Sequence, residues 1–257
     1  MPMRLFAVTV LLLLSTSAAT RLGAQTPVQP APRPDSVRVS ARQAAEYEHL
    51  RTDWAGLQTF MKANADLPAP APDENRVVFM GNSIVELWTP YFASLFPGKP
   101  YIGRGISGQT TPQMLVRFRQ DVIALKPKVV LILAGTNDIA GNTGPATLEM
   151  IENNLASMAE LAKANGIRVV MASVLPVYSY SWKPSLQPAQ TIVALNAWIR
   201  DYASQHGAVY LDFHTAMADE RMGMRSELTP DGVHPNEAGF RVMAPLAEKA
   251  IQEALQK

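Results

Sequence analysis

Short apolar runs at residues 77–80, 101–102, 129–134, 169–172 and 209–213 constrain this 257-residue chain most. Runs such as Val129-Val130-Leu131-Ile132-Leu133 do not alternate between apolar and polar residues. They fit parallel strands buried on both faces. Residues 114–125, 148–164 and 192–206 lie between runs and repeat apolar residues at helical spacing. Leu148, Ile151, Leu155, Met158 and Leu161 form one stripe, with Gly166 and Gly207 where helix C-caps belong. Pro112 follows Thr110-Thr111 and suits the first turn of a helix behind a hydroxyl cap. A last helix is predicted over 236–256. Strands alternating with helices mean an α/β fold, a parallel sheet with helices on both faces.

The N-terminus differs in kind. Arg4 precedes 15 uncharged residues, 5–19, a run short of the roughly 20 apolar residues that span a bilayer. Residues 1–24 therefore read as a signal peptide, with an uncleaved anchor as the alternative. Four prolines within 25–35 mark residues 25–39 as an extended linker. Residues 40–257 are then one domain, opening with a helical extension over 40–72. In it Ala44, Tyr47, Leu50, Trp54, Leu57 and Met61 are spaced as one helix over 40–64, stopped by the prolines of 68–72. The expected location is exported, periplasmic or extracellular, with no stable membrane anchor after cleavage.

Removing those 24 residues leaves 21 basic against 22 acidic side chains and no tight basic run. A nucleic-acid partner is not expected. The absence of cysteine excludes thiol catalysis, disulfides and cysteine-zinc sites. No ligand-spaced histidine and carboxylate pair is present, so no metal and no cofactor are expected.

Four segments carry chemistry, each just after an apolar run: Gly81-Asn82-Ser83, Gly103-Arg104-Gly105-Ile106-Ser107-Gly108, Gly135-Thr136-Asn137-Asp138 and Asp231-Gly232-Val233-His234-Pro235. Ligands bind beyond the carboxyl ends of such strands. Ser83 offers a hydroxyl at a strand-to-helix turn, His234 a general base, and Asp231 a carboxylate that holds the imidazole tautomer. An acyl-transfer intermediate also needs donors for its oxyanion. Candidates are the backbone N–H groups of Ser83 and Gly105 and the side-chain amide of Asn137. Taken singly, each segment is more often a turn or a helix cap. Of the other histidines, His49 and His206 fall in helical patterns and His214 ends a strand, which favours structural roles.

In this order the segments resemble the four blocks of the SGNH (GDSL-type) hydrolases, over residues 76–251. The stretches at 104–111 and 133–138 are similar to a secreted bacterial branch akin to carbohydrate esterases. They are also similar to the catalytic subunits of platelet-activating-factor acetylhydrolase. The resemblance implies a three-layer α/β/α sandwich with a five-stranded parallel sheet in the flavodoxin-like order 2-1-3-4-5. It implies metal-free serine ester hydrolysis, with Ser83, Asp231 and His234 as triad and Ser83, Gly105 and Asn137 as oxyanion hole. Asn82 stands where the family name implies aspartate. Gly103 stands where asparagine is frequent, which removes a supporting contact.

The expected substrate is a small-molecule or glycan acyl ester, most simply an acetyl ester on a carbohydrate. Residues 174–190 form a long loop whose Tyr178, Tyr180 and Trp182 could stack on sugar rings. Alternatives on the same triad are a lysophospholipase or lipase-type acylhydrolase and an O-acetyltransferase. A non-catalytic glycan-binding protein is the alternative outside enzymes. Met217, Met222 and Met224 could line an acyl pocket or fill core. Oligomeric state is not readable from the sequence.

Overall fold

The structure is a computed structural model that describes Ser40, Ala44, Glu48 and residues 51–257. The signal peptide and linker expected over 1–39 lie outside the described residues. Five strands form one wholly parallel sheet: β1 (Val77–Gly81), β2 (Tyr101–Gly105), β3 (Val129–Leu133), β4 (Arg168–Ala172) and β5 (Val209–Leu211). Their order is β2-β1-β3-β4-β5. Val77 faces Tyr101 on one side and Val129 on the other, and all pairs are parallel.

Alternate residues of each strand feed two cores, as a period-2 backbone requires. Val77, Phe79, Val129 and Leu131 face one core, whereas Val78, Met80, Val130 and Ile132 face the other. The first core is closed by α2 (Ser83–Trp88), α3 (Phe92–Leu95) and the last helix, α9 (Glu237–Gln256). Phe79, Trp88, Phe92 and Phe240 meet there, with Trp88 stacked on Phe240 at 5.7 Å. The second core is closed by α4 (Thr111–Asp121), α6 (Leu148–Ala164) and α7 (Ala189–His206). Continuous aliphatic strands thus require cover on both faces, and the helices supply it. The three-layer sandwich and strand order implied by the resemblance are those observed.

Helix ends follow the local chemistry. Thr147 caps α6 by accepting from the Met150 N–H, and Asn236 caps α9 by accepting from the Gly239 N–H. Gly207 ends α7 in the left-handed region, where a Cβ would be strained. Two short helices complete the set around the site, α5 (Thr136–Ala140) and α8 (His214–Met217).

The single helix expected over 40–64 is not formed. Helical backbone at Arg51 and Thr52 gives way to turns, and helix α1 is only Met61–Asp66. The Asp53 carboxylate accepts the N–H groups of Leu57 and Gln58, and Gly56 adopts φ +66°. These local bonds compete with the helix and win. Trp54, Leu57 and Met61 are accordingly exposed rather than aligned on a core. Strand β2 also runs three residues beyond the expected 101–102, because Gly103-Arg104-Gly105 pair with β1 despite lacking aliphatic side chains.

Candidate active site

Strand β1 ends at Gly81, and Ser83 opens α2 two residues later. Asn82 makes that turn: its Oδ1 accepts the Ile84 N–H at 3.0 Å, as a helix N-cap should. Its Nδ2 is buried and has no partner among the described residues. The contact expected of aspartate is therefore kept by one oxygen. Gly81 is obligatory, since a Cβ there would lie 2.4 Å from Val85 Cγ2 and 2.8 Å from Leu133 O.

Ser83 Oγ lies 2.9 Å from His234 Nε2, and His234 Nδ1 lies 2.7 Å from Asp231 Oδ2. An ionised carboxylate only accepts, so Nδ1 carries the proton and Nε2 is left to accept the serine hydroxyl. Asp231 is held by its own loop. Its Oδ1 accepts the N–H groups of Val233 at 2.9 Å and His234 at 2.8 Å. Gly232 makes the bend at φ +81° and donates to Thr229 Oγ1. Partial burial alone would raise the Asp231 carboxyl, but the His234 and Val233 donors outweigh it and hold it below the ordinary value. The loop returning from β5 thus reaches across to β1.

Asn137 lies in α5, directly after β3, and its Nδ2 donates to Gln109 O at 2.9 Å. Asp138 beside it accepts from the Thr111 N–H and from Thr111 Oγ1 at 2.6 Å, tying α5 to α4. Burial pushes the Asp138 carboxyl up to about 6, against the opposing pull of the Thr111 donors. Tyr180 braces the same helix, with its hydroxyl 2.9 Å from Thr136 Oγ1 and from Thr136 O.

Gly105 ends β2 in tight packing. A Cβ there would lie 2.2 Å from Glu86 N and 2.6 Å from Asn82 O, so glycine lets β2 approach the first turn of α2. Its N–H points elsewhere. Ile106 N–H donates to Gly81 O on β1 at 3.3 Å, and amide direction alternates along a strand. The Gly105 N–H is therefore directed to the open edge of β2. There Gly103 and Gly105 line a cavity of about 250 Å³ with Thr59 and Phe60. Gly108 differs. It sits in the left-handed region at φ +78°, its carbonyl accepts from Asn142 Nδ2, and the next residue holds Asn137. Among the described residues its N–H has no acceptor. The sequence does not single out Gly108, because one glycine among three in 103–108 carries no mark of its amide direction.

The room a side chain would need at Gly103 is already taken. A Cβ there would meet Thr89 Oγ1 at 1.9 Å, so the Thr89 side chain occupies that space. Met217 and Met224 are buried in core, and Met222 is half-buried at φ +62°. His206 stacks on Tyr202 at 4.0 Å at the end of α7. His214 is half-buried, and burial lowers its pKa. His49 lies outside the described residues. A cavity of about 290 Å³ near Arg168, Val209 and Lys257 lies at the amino ends of β4 and β5, the far end of the sheet from Ser83. Cavity volume therefore does not locate the site. No group of three metal-ligating side chains occurs among the described residues.

A serine, histidine and aspartate chained by hydrogen bonds beyond the carboxyl ends of a parallel sheet are the equipment of a serine-dependent ester hydrolase. The chain belongs to the GDSL-like lipase/acylhydrolase family, whose model matches residues 79–242, and this places it among carboxylic ester hydrolases. Two solved structures are similar over 79% of this chain. A GDSL-like lipase from Bacteroides thetaiotaomicron VPI-5482 is 44% identical with TM-score 0.76, and is covered over its whole length. A structure from Bacteroides fragilis NCTC 9343, described as an acylhydrolase, is 45% identical with TM-score 0.77, and 99% of it is covered. An acetylxylan esterase from Xylanibacter ruminicola is 28% identical over 72% of this chain. The chain spans 45% of that relative's length, and 60% of the length of the esterase TesA from Pseudomonas aeruginosa.

Proposed function

We propose that the protein hydrolyses short acyl esters, most simply acetyl esters on carbohydrates, through an acyl-enzyme on Ser83. The observation that carries this reading is the hydrogen-bonded chain Ser83–His234–Asp231. Ser83 Oγ attacks the ester carbonyl carbon while its proton passes to His234 Nε2, and Asp231 stabilises the imidazolium. The tetrahedral oxyanion collapses, the carbon–oxygen bond to the alcohol breaks, and His234 returns the proton to that alcohol. Water then attacks the acyl-enzyme by the same steps and releases the acid.

The oxyanion takes donors from the Ser83 N–H, the Asn137 amide and a glycine N–H. Gly108, with its free amide beside Asn137, fits that last role better than Gly105, whose amide is turned to the sheet edge. A carbohydrate substrate is supported by the acetylxylan esterase relative and by the aromatic loop. In that loop Tyr178 and Trp182 are exposed, and Lys183 anchors the loop by donating to Ala140 O at the end of α5. Export to the periplasm or the extracellular space follows from Arg4 and the apolar run over 5–19. Among the described residues no helix is long and apolar enough to cross a membrane.

Ser83→Ala tests the reading. With p-nitrophenyl acetate, kcat should fall about 10⁴-fold or more while the protein stays folded. Activity within tenfold of wild type would remove Ser83 from the mechanism. A panel of acetylated xylo-oligosaccharides and longer acyl esters, each with and without a sugar acceptor, separates carbohydrate esterase from lipase and from transferase.

A further inference from the structure

A side-chain amide serves an oxyanion only if something fixes the direction of its N–H bonds before the reaction begins. Asn137 lies in a helix of five residues, and the acceptor that orients its Nδ2 is the backbone carbonyl of Gln109. Gln109 belongs to the loop between β2 and α4, and a loop carbonyl is only as fixed as its own residue.

All four polar groups of Gln109 are engaged. Its N–H donates to Ile106 O at 3.3 Å and its carbonyl accepts from Asn137. Its Oε1 accepts from Arg117 Nε at 2.6 Å, and its Nε2 donates to Ala55 O at 2.8 Å. Arg117 is fully buried and paired with Asp121 at 3.0 Å. Its Nη2 donates to Gly81 O and Arg104 O, both at 2.9 Å, carbonyls at or next to the ends of β1 and β2. The guanidinium therefore fixes Gln109 to the same strand ends that carry Ser83 and the glycine loop. A buried polar side chain costs free energy unless every group is bonded, and a methionine would fill the same space without that demand. What the amide adds is a fixed direction.

Resting on the reading of Asn137 as an oxyanion donor, we propose that Gln109 is a positioning residue of the oxyanion hole. Its side chain, clamped between Arg117 and the Ala55 carbonyl, fixes the backbone carbonyl that aims the Asn137 amide and the peptide that follows Gly108.

The test is a double-mutant cycle on the full chain with p-nitrophenyl acetate. Gln109→Met should lower kcat about 10–50-fold with KM changed less than about threefold, since small misplacement of a preorganised donor acts on the transition state. In an Asn137→Ala background, which should itself cost about 10²–10³-fold in kcat, the same change should cost less than about twofold. Gln109→Glu keeps the acceptor for Arg117 Nε but lacks the donor to the Ala55 carbonyl. It should repeat both results if Gln109→Met does not fold. An equal loss in both backgrounds, or an unchanged kcat in a folded single variant, overturns the proposal. An Asn137→Ala protein with unchanged kcat overturns the oxyanion reading instead, and the proposal falls with it.

Discussion

The two halves of the site are built differently. The His234 and Asp231 side chains are 25% and 39% exposed, whereas Asn137 and Gln109 are 5% and 4% exposed and Arg117 is wholly buried. The relay half is also local, because among the described residues every hydrogen-bond partner of Asp231 lies within residues 229–234. The oxyanion half draws on the ends of β1 and β2, on α4, α5 and the 53–60 turn. The difference matches the tasks proposed for the two halves. A base that must also activate water gains from solvent nearby. Donors aimed at a transient anion gain from a dry, fixed setting, where a hydrogen bond counts for more.

The sharpest way to break this contrast is Asp231→Asn. Asparagine can hold the wrong imidazole tautomer and cannot stabilise the imidazolium, so kcat should fall about 10³–10⁴-fold. KM should change little, because the carboxylate touches no substrate atom in the proposed mechanism. A loss below tenfold would mean that water stands in for the carboxylate, and exposure would then define the relay more than the residue does.

A smaller effect tests the dry half. The Asp138 carboxyl is pushed up to about 6, so between about pH 4 and pH 6 the folded protein holds a proton that the unfolded chain has released. The sign is therefore opposite to that of a carboxylate held low. Stability from this group is present below its unfolded value and is lost as pH rises through 6, by about 3 kcal/mol in full. Asp138→Asn retains an acceptor for Thr111 and cannot ionise. The unfolding free energy of the variant relative to wild type should rise by about that amount from pH 4 to pH 7, followed by urea titration. A pH-independent difference would mean that the Thr111 donors cancel the effect of burial and the carboxyl titrates normally.

The two halves also differ in how far they could be read before the structure. The meeting of Ser83, Asp231 and His234 was legible because a local turn carries each one, and turn residues announce themselves by type. Strands β1, β3 and β4 were legible because burial on both faces leaves runs of consecutive apolar side chains. The support beneath the oxyanion hole was not. Arg117 and Gln109 are polar residues in or before an amphipathic helix, where such residues ordinarily face water. Only the packing of the 53–60 turn and the ends of β1 and β2 around them makes them interior. In that turn the apolar spacing of Trp54, Leu57 and Met61 predicts a helix and conceals the stronger local bonds of Asp53.

The smallest expected effect lies where the halves meet, at Asn82. Its Oδ1 already provides the N-cap to Ile84, and an aspartate oxygen would do the same. The second oxygen would replace a buried Nδ2 that has no partner, so an unmet donor would become an unmet acceptor. The first-turn N–H groups of α2 favour a negative charge there, while 1% exposure opposes it. These effects have opposite sign and comparable size. Asn82→Asp should therefore leave kcat/KM within about tenfold of wild type, at most roughly 1.4 kcal/mol. The cap geometry, not the charge, then holds Ser83 against His234. Steady-state kinetics on Asn82→Asp and Asp231→Asn side by side decide the matter. If the change at Asn82 were the more damaging, the nucleophile turn would depend on its neutral amide, and the carboxylate of the relay would have to be sought elsewhere than Asp231.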